Sequence, residues 1–165
     1  MKQSMHRAGL LLGSNIQPEK NIPLAVTLLT KQLTVFQTSS VWESRAVGSD
    51  SANFLNAALL VLTSLEADIL KEQVLLPLEA QLKRVRTIDK NAPRTIDLDI
   101  LLFDQQCLDL NLWQTAFRAV PFAEVLPDFQ SQSGEILKDA AVRLASMTPI
   151  WIRKDVLIFP FQNVP

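Results

Sequence analysis

Apolar residues recur along this chain with two spacings, and the switch between them marks its elements. Ala8 to Leu12 is an unbroken apolar run ending in the turn Gly13-Ser14-Asn15, the mark of a short buried strand. Ile22, Ala25, Val26, Leu29 and Leu33 follow at helical spacing and predict an amphipathic helix, in which Pro23 fits only within the first turn. Thr34 to Trp42, rich in β-branched and aromatic residues, reads as a second strand. After a loop around Gly48, Asn53 to Thr63 reads as a third. Thr63 and Glu66 have capping-box spacing and open a long helix over Leu65 to Arg86, which Pro77 interrupts and is expected to kink.

The loop Thr87 to Pro93 leads into a strand over Thr95 to Phe103. Pro121 to Pro127 and Gly134 to Ser146 then read as helices, and Asp155 to Phe161 as a final strand. Strand, helix, strand, strand, helix, strand is the ferredoxin-like order. The predicted fold is therefore α+β: a ferredoxin-like βαββαβ core with extra C-terminal helices and a strand, its antiparallel sheet covered by helices on one face. No repeat or linker divides the chain, so residues 1–165 read as a single domain.

Composition narrows the function. The 165 residues are 48% hydrophobic and 20% charged with a formal net charge of -1, which suits a globular protein and gives no general attraction for nucleic acid. No apolar run is long enough to cross a bilayer, and the stretch near the N-terminus is too short for a secretion signal. The single cysteine, Cys107, excludes an internal disulfide, and a reducing, cytoplasmic location is expected. The single histidine, His6, argues against a histidine-based triad or metal cage.

The chemistry concentrates in NAPRTIDLDILLF, Asn91 to Phe103, where Asp97 and Asp99 interrupt an apolar run. On a strand they share a face, about 6.6 Å apart at roughly 3.3 Å per residue, and each raises the other's pKa unless a cation intervenes. One account is an edge strand with its polar face in water. The other is a divalent-cation site for phosphoryl chemistry, since Mg²⁺ takes one or two carboxylates plus phosphates and waters. Lys83, Arg84 and Arg86 at the helix end, and Arg94 three residues before Asp97, favour the second, because forked guanidinium donors suit phosphate oxygens.

These residues resemble a known family. PRTIDLDILLF (Pro93 to Phe103) is similar to the signature of 6-hydroxymethyl-7,8-dihydropterin pyrophosphokinases. In the same order, LLLGSN (Leu10 to Asn15), SSVWESRAVG (Ser39 to Gly48), NFLNAALLV (Asn53 to Val61), LEAQLKRVR (Leu78 to Arg86) and PFAEVLPDF (Pro121 to Phe129) resemble other segments of that family. The resemblance implies transfer of pyrophosphate from ATP, as co-substrate, to the hydroxymethyl group of the pterin, releasing AMP. It implies Asp97 and Asp99 as ligands of two Mg²⁺ ions, Arg84 and Arg94 at the transferring phosphates, and Glu79, Arg86 and Ile100 beside the nucleotide. A competing account of Glu79 is a solvated helix residue paired with Lys83. For the pterin it implies Asn56, whose amide both donates and accepts, with Ser44, Val47, Phe54 and Phe117 around the ring. Core packing is the competing account for the two phenylalanines. The implied partners are two small molecules, with no nucleic acid and no membrane, and the implied state is a monomer.

The chain also departs from that family. Its members carry basic residues, a histidine and an arginine between the aspartate strand and the phenylalanine, whereas Asp104 to Phe117 contains no lysine, arginine or histidine. Thr115 takes the arginine's place unless Arg118 substitutes for it, and Asn91 and Ala92 replace a tryptophan and a glycine. Three readings follow: a working, divergent enzyme; a weakened or inactive paralogue that binds pterin or regulates; or a ferredoxin-like assembly module whose sheet self-associates and whose aspartates are solvated surface.

Overall fold

The computed structural model describes residues 4–48 and 50–158. Four strands form the centre of one antiparallel sheet: β1 (His6–Ser14), β2 (Thr34–Thr38), β4 (Phe54–Thr63) and β5 (Asp97–Phe103). β3 (Trp42–Ser44), β6 (Gln106–Cys107) and β7 (Ile150–Ile152) extend it. The order is β6-β5-β1-β4-β3-β7, with β2 also on β4. Helix α1 (Pro18–Leu29) joins β1 to β2, and the segment α2 (Ala67–Leu70), a π-helical turn (Lys71–Leu75) and α3 (Leu76–Gln81) joins β4 to β5. α4 (Ala116–Val125) and α5 (Leu137–Met147) follow, after a 3-10 turn at Leu110–Trp113. The βαββαβ core is the expected one.

Helices cover both faces of the sheet, not one. Leu10, Leu12, Leu55 and Leu59 pack with Ile22 of α1 and with Leu70 and Leu78 of the second helical segment. Leu11, Ala58 and Leu60 pack with Ala119 and Phe122 of α4 and Leu137 of α5. The unbroken apolar runs of β1 and β4 carry the reason: a strand buried on one face alternates, whereas one buried on both does not.

Other boundaries shift for local reasons. α1 begins at Pro18 rather than Ile22, so Pro23 lies inside the helix and not in its first turn. The ladder bond that Pro23 cannot make is owed to the carbonyl of Glu19, which is exposed to water. The strand expected over Thr34 to Trp42 divides into β2 and β3, because Ser39 substitutes side chain for ladder: its Oγ accepts the Ala58 N–H at 2.8 Å. The expected capping box does not form; Thr63 Oγ1 accepts the Leu65 N–H at 3.1 Å, and the helix starts at Ala67 with no side-chain cap. Pro77 is accommodated without a break by the preceding π turn. The helix ends at Gln81, not Arg86; Lys83 takes a left-handed φ of 61°, and the arginines beyond it leave the helix. α4 starts earlier than expected and carries Pro121 inside it. The expected final strand is misplaced: the last described strand is β7 on β3, and Asp155 to Ile158 form turn and coil. The remainder of that expectation, 159–161, lies outside the described residues.

Candidate active site

Strand register assembles the site floor. Gly13 pairs with Asp97 on one side and Asn56 on the other, Leu11 pairs with Asp99 and Ala58, and Ser44 pairs with Phe54. Paired residues point the same way, so both aspartates, Asn56, Phe54 and Ser44 rise from one face. They line a cavity of about 310 Å³ with Val47, Arg94, Phe117 and Arg118. All five residues implied for the pterin therefore meet both carboxylates in one space. Asn56 and Ser44 are buried, and Asn56 Nδ2 donates to Ser44 Oγ at 2.9 Å, which leaves the rest of the amide for a ligand.

A second cavity, about 330 Å³, is lined by Arg84, Arg86, Arg94, Asp97 and Asp99. The aspartates and Arg94 thus sit at the seam between the two spaces. A third, also about 330 Å³, holds Ile100 and Lys71 and again reaches Asp99. Ile100, implied beside the nucleotide, faces this space rather than the arginines.

The two carboxylates differ electrostatically. Arg94 Nη1 lies 2.5 Å from Asp97 Oδ2, and Arg84 Nη1 lies 3.3 Å from Oδ1, so Asp97 is charge-paired on both oxygens. The Asp99 carboxylate makes no hydrogen bond or ion pair among the described residues. Burial pushes its carboxyl above the ordinary range and the charge on Asp97 adds to this, while Lys71 and Arg118 oppose them. Its ionised form lacks a cation. The arginines show the converse need. Nε of Arg84, of Arg94 and of Arg118 is buried without a hydrogen-bond partner, and so is Thr95 Oγ1. Burial also draws the Arg84 guanidinium below its ordinary value, against the pull of Asp97. An orphaned buried donor costs roughly 1–3 kcal/mol, so a polyanion entering here would relieve several at once.

Two supports were not legible in the chain. Asn15 Oδ1 accepts the Arg94 N–H at 2.8 Å, and the N–H groups of Asn15 and Ile16 donate to the Arg94 carbonyl at 3.1 and 3.2 Å, which fastens Arg94 to the end of β1. Glu79 is the other. It lies 2% exposed and lines neither of the first two cavities. Its Oε1 accepts the Leu98 N–H at 2.9 Å, and its Oε2 is 2.5 Å from Arg86 Nη2. The solvated pairing with Lys83 is corrected by this: Glu79 is buried, and its ion-pair partner is Arg86. Glu79 holds the outer edge of β5 at the residue between the two aspartates, where no neighbouring strand supplies an acceptor. Phe54 and Phe117 reach the first cavity beneath cations, with Arg94 5.8 Å and Arg118 4.5 Å from the respective rings. Lys90 and Arg45 also reach that cavity without having been singled out, and so does Asn91, noted only as a departure from the family.

Fold and site together define a ferredoxin-like α+β protein in which a carboxylate pair is set among guanidinium donors. The family model for 7,8-dihydro-6-hydroxymethylpterin-pyrophosphokinase (HPPK) matches residues 9–127. A 2-amino-4-hydroxy-6-hydroxymethyldihydropteridine pyrophosphokinase of Campylobacter jejuni is 42% identical over 99 residues, 58% of this chain and 62% of that one. The enzyme of the same name from Bacillus subtilis is 34% identical over 138 residues, 76% of this chain and 81% of that one. In fold, the chain is similar to Plasmodium falciparum HPPK-DHPS crystallised with pterin and p-hydroxybenzoate, with a TM-score of 0.69 and 11% identity; 88% of this chain covers 44% of that one. The chain thus spans less than half of the Plasmodium protein and a little under two thirds of the Campylobacter one. It belongs to the 7,8-dihydro-6-hydroxymethylpterin-pyrophosphokinase family.

Proposed function

We propose that this protein transfers the pyrophosphoryl group of ATP to the hydroxymethyl oxygen of 6-hydroxymethyl-7,8-dihydropterin, giving the pterin diphosphate and AMP in folate biosynthesis. Family membership supports the activity. The observation that carries it to these residues is the placement of Asp97 and Asp99 where the two cavities meet. The pterin occupies the first, read by the Asn56 amide and flanked by Phe54, Phe117, Ser44 and Val47. The nucleotide's phosphates occupy the second, held by Arg84, Arg86 and Arg94, with Ile100 beside the nucleotide in the third.

The carboxylates suit magnesium. Asp99 is an ionisable oxygen ligand without a cation, and two carboxylates are a usual protein share for Mg²⁺, whose other ligands are waters and phosphates. Asp97 and Asp99 would hold two such ions, which when bound neutralise phosphate charge as the pterin hydroxyl displaces AMP from the β-phosphorus. The rest falls to positioning and fixed positive charge. Arg84 and Arg94 aim donors at the seam, and the pterin residues fix the hydroxymethyl group there. The proposal extends to one domain over 1–165 acting as a cytoplasmic monomer on two small molecules, with no nucleic-acid or membrane partner. A single sheet running from β6 to β7 supports the single domain. No described helix is long and apolar enough to cross a membrane.

The test is AMP release on mixing folded protein with ATP, Mg²⁺ and the reduced hydroxymethylpterin, with Asp97→Asn alongside. AMP from the wild type and a loss of at least a hundredfold in the variant is expected. No AMP at high protein concentration refutes the proposal. A silent pterin-binding domain is the second reading. It is favoured by the double arginine pairing of Asp97, which already satisfies that carboxylate. Calorimetry separates the two: pterin binding without Mg²⁺-dependent nucleotide binding selects the silent domain.

A further inference from the structure

A bound triphosphate with its metal concentrates negative charge that the described arginines only partly meet. Arg84 and Arg94 are already paired with Asp97, at 3.3 and 2.5 Å, and Arg86 with Glu79. The segment Asp104 to Phe117 contributes no cation and adds Asp104 and Asp109. Positive charge must therefore reach Asp99 from elsewhere, and two side chains do so from opposite sides.

The first is Lys71. It opens the π turn that accommodates Pro77, is exposed, and its ammonium makes no hydrogen bond or ion pair among the described residues. It lines the third cavity with Asp99, Ile100 and Asp109. The second is Arg118, which lines the first cavity with both aspartates. Arg118 stands in the first turn of α4, where a helix disfavours positive charge. Its guanidinium lies 4.5 Å over the Phe117 ring, its Nη1 donates to Thr115 Oγ1 at 3.1 Å, and its Nε faces Asp109 Oδ2 at 3.2 Å without forming a hydrogen bond. That is a loose tether: one ion pair with poor geometry, a buried donor left over, and a cation at the wrong end of a helix. Asp109 borders the Lys71 cavity while tethering Arg118, so it links the two sides.

We propose that Lys71 and Arg118 contact the nucleotide's phosphates from either side of Asp99, and that Asp109 is the resting counter-ion Arg118 exchanges for phosphate. The proposal rests on the pyrophosphokinase reading and deepens it. It assigns this chain's replacement for the positive charge that Asp104 to Phe117 does not carry.

The test is calorimetric titration of the full chain with Mg²⁺ and α,β-methylene-ATP, for wild type and the variants Lys71→Met, Arg118→Met, Arg118→Lys and Asp109→Asn. Loss of one charge-assisted contact corresponds to roughly ten- to hundredfold weaker binding, the drop expected for each methionine variant. Arg118→Lys is expected to recover most of the loss, and Asp109→Asn to tighten binding by removing the competitor. Pterin affinity of Lys71→Met is expected to match wild type, and the KM for ATP to rise more than kcat falls. Unchanged analogue affinity in Lys71→Met and in Arg118→Met, in a wild type that binds nucleotide and forms AMP, overturns this inference alone. A folded wild type that neither binds the analogue nor forms AMP overturns the pyrophosphokinase reading and this inference with it. Should Arg118→Met not fold, Arg118→Gln decides the same point by the same titration.

Discussion

Replacing Glu79 separates a positioning role from a nucleotide contact. Glu79→Ala strips the Leu98 N–H of its acceptor at 2.9 Å in a site where the glutamate is 2% exposed, so no water replaces it readily. An unsatisfied buried donor costs roughly 1–3 kcal/mol. The ion pair with Arg86 adds little, because the Arg86 side chain is 59% exposed and solvent screens the pair to about 0–1 kcal/mol. The buried methylene lost with the side chain adds roughly 0.8 kcal/mol. Together these give a destabilisation of about 2–5 kcal/mol, and at about 2–4 °C per kcal/mol for a chain of this size the melting midpoint falls by roughly 4–20 °C. Glu79→Gln keeps an oxygen for the Leu98 N–H and removes a buried charge, so it stays within about 1 kcal/mol of wild type. Denaturant titration and thermal melting read both. In the AMP assay, Glu79→Ala lowers kcat more than it raises the KM for ATP, because the loosened segment carries both aspartates. If Glu79→Ala is as stable as wild type, or if Glu79→Gln weakens ATP binding as much as alanine does, the positioning argument is wrong.

Three further outcomes are expected. Asp97→Asn deprives the nearly buried Arg84 and Arg94 of their shared counter-charge and destabilises by about 1–3 kcal/mol, whereas Asp99→Asn removes a carboxylate whose charge burial disfavours, and so melts at or above the wild-type temperature without metal; a lower midpoint for the Asp99 variant contradicts this. Gly9→Ala drives a Cβ to 2.8 Å from Phe122 Cε1 and 3.0 Å from Leu102 Cβ, an overpacking that costs about 1–3 kcal/mol, and an unchanged denaturation midpoint refutes it. His6 Nδ1 lies 2.9 Å from Asp104 Oδ2, and this bond raises the histidine above its ordinary 6.5 and holds the aspartate below its ordinary 3.8. The histidine's contribution to stability is complete below pH 6.5 and is lost as pH climbs through its raised value, and the aspartate's is complete above pH 3.8 and is lost on acidification. Melting curves of Asp104→Asn against wild type are expected to differ most between those limits, and the difference to narrow at alkaline pH as the His6 share is lost, leaving only what the Arg7 N–H bond to Asp104 Oδ1 contributes.

What the chain determined by itself is local and periodic. A strand repeats every two residues, so Asp97 and Asp99 had to share a face once Thr95 to Phe103 was read as extended, and apolar spacing sufficed for the βαββαβ order. The same apolar runs carried the signal that β1 and β4 are covered on both sides, although a one-faced sheet had been the simpler inference. The outer partner was distant: α4 and α5 arrive after residue 115. Tertiary structure alone decided the rest, because those contacts join residues far apart in sequence. Glu79 meets Leu98 across 19 positions, Asn15 meets Arg94 across 79, and Ser39 divides a strand through a bond to Ala58, 19 residues on. Nothing in a neighbouring residue type announces such a bond. A carboxylate on a helix reads as solvated until the strand edge that needs its oxygen is in place. An arginine in the first turn of a helix reads as surface until the fold turns it toward a pair of aspartates.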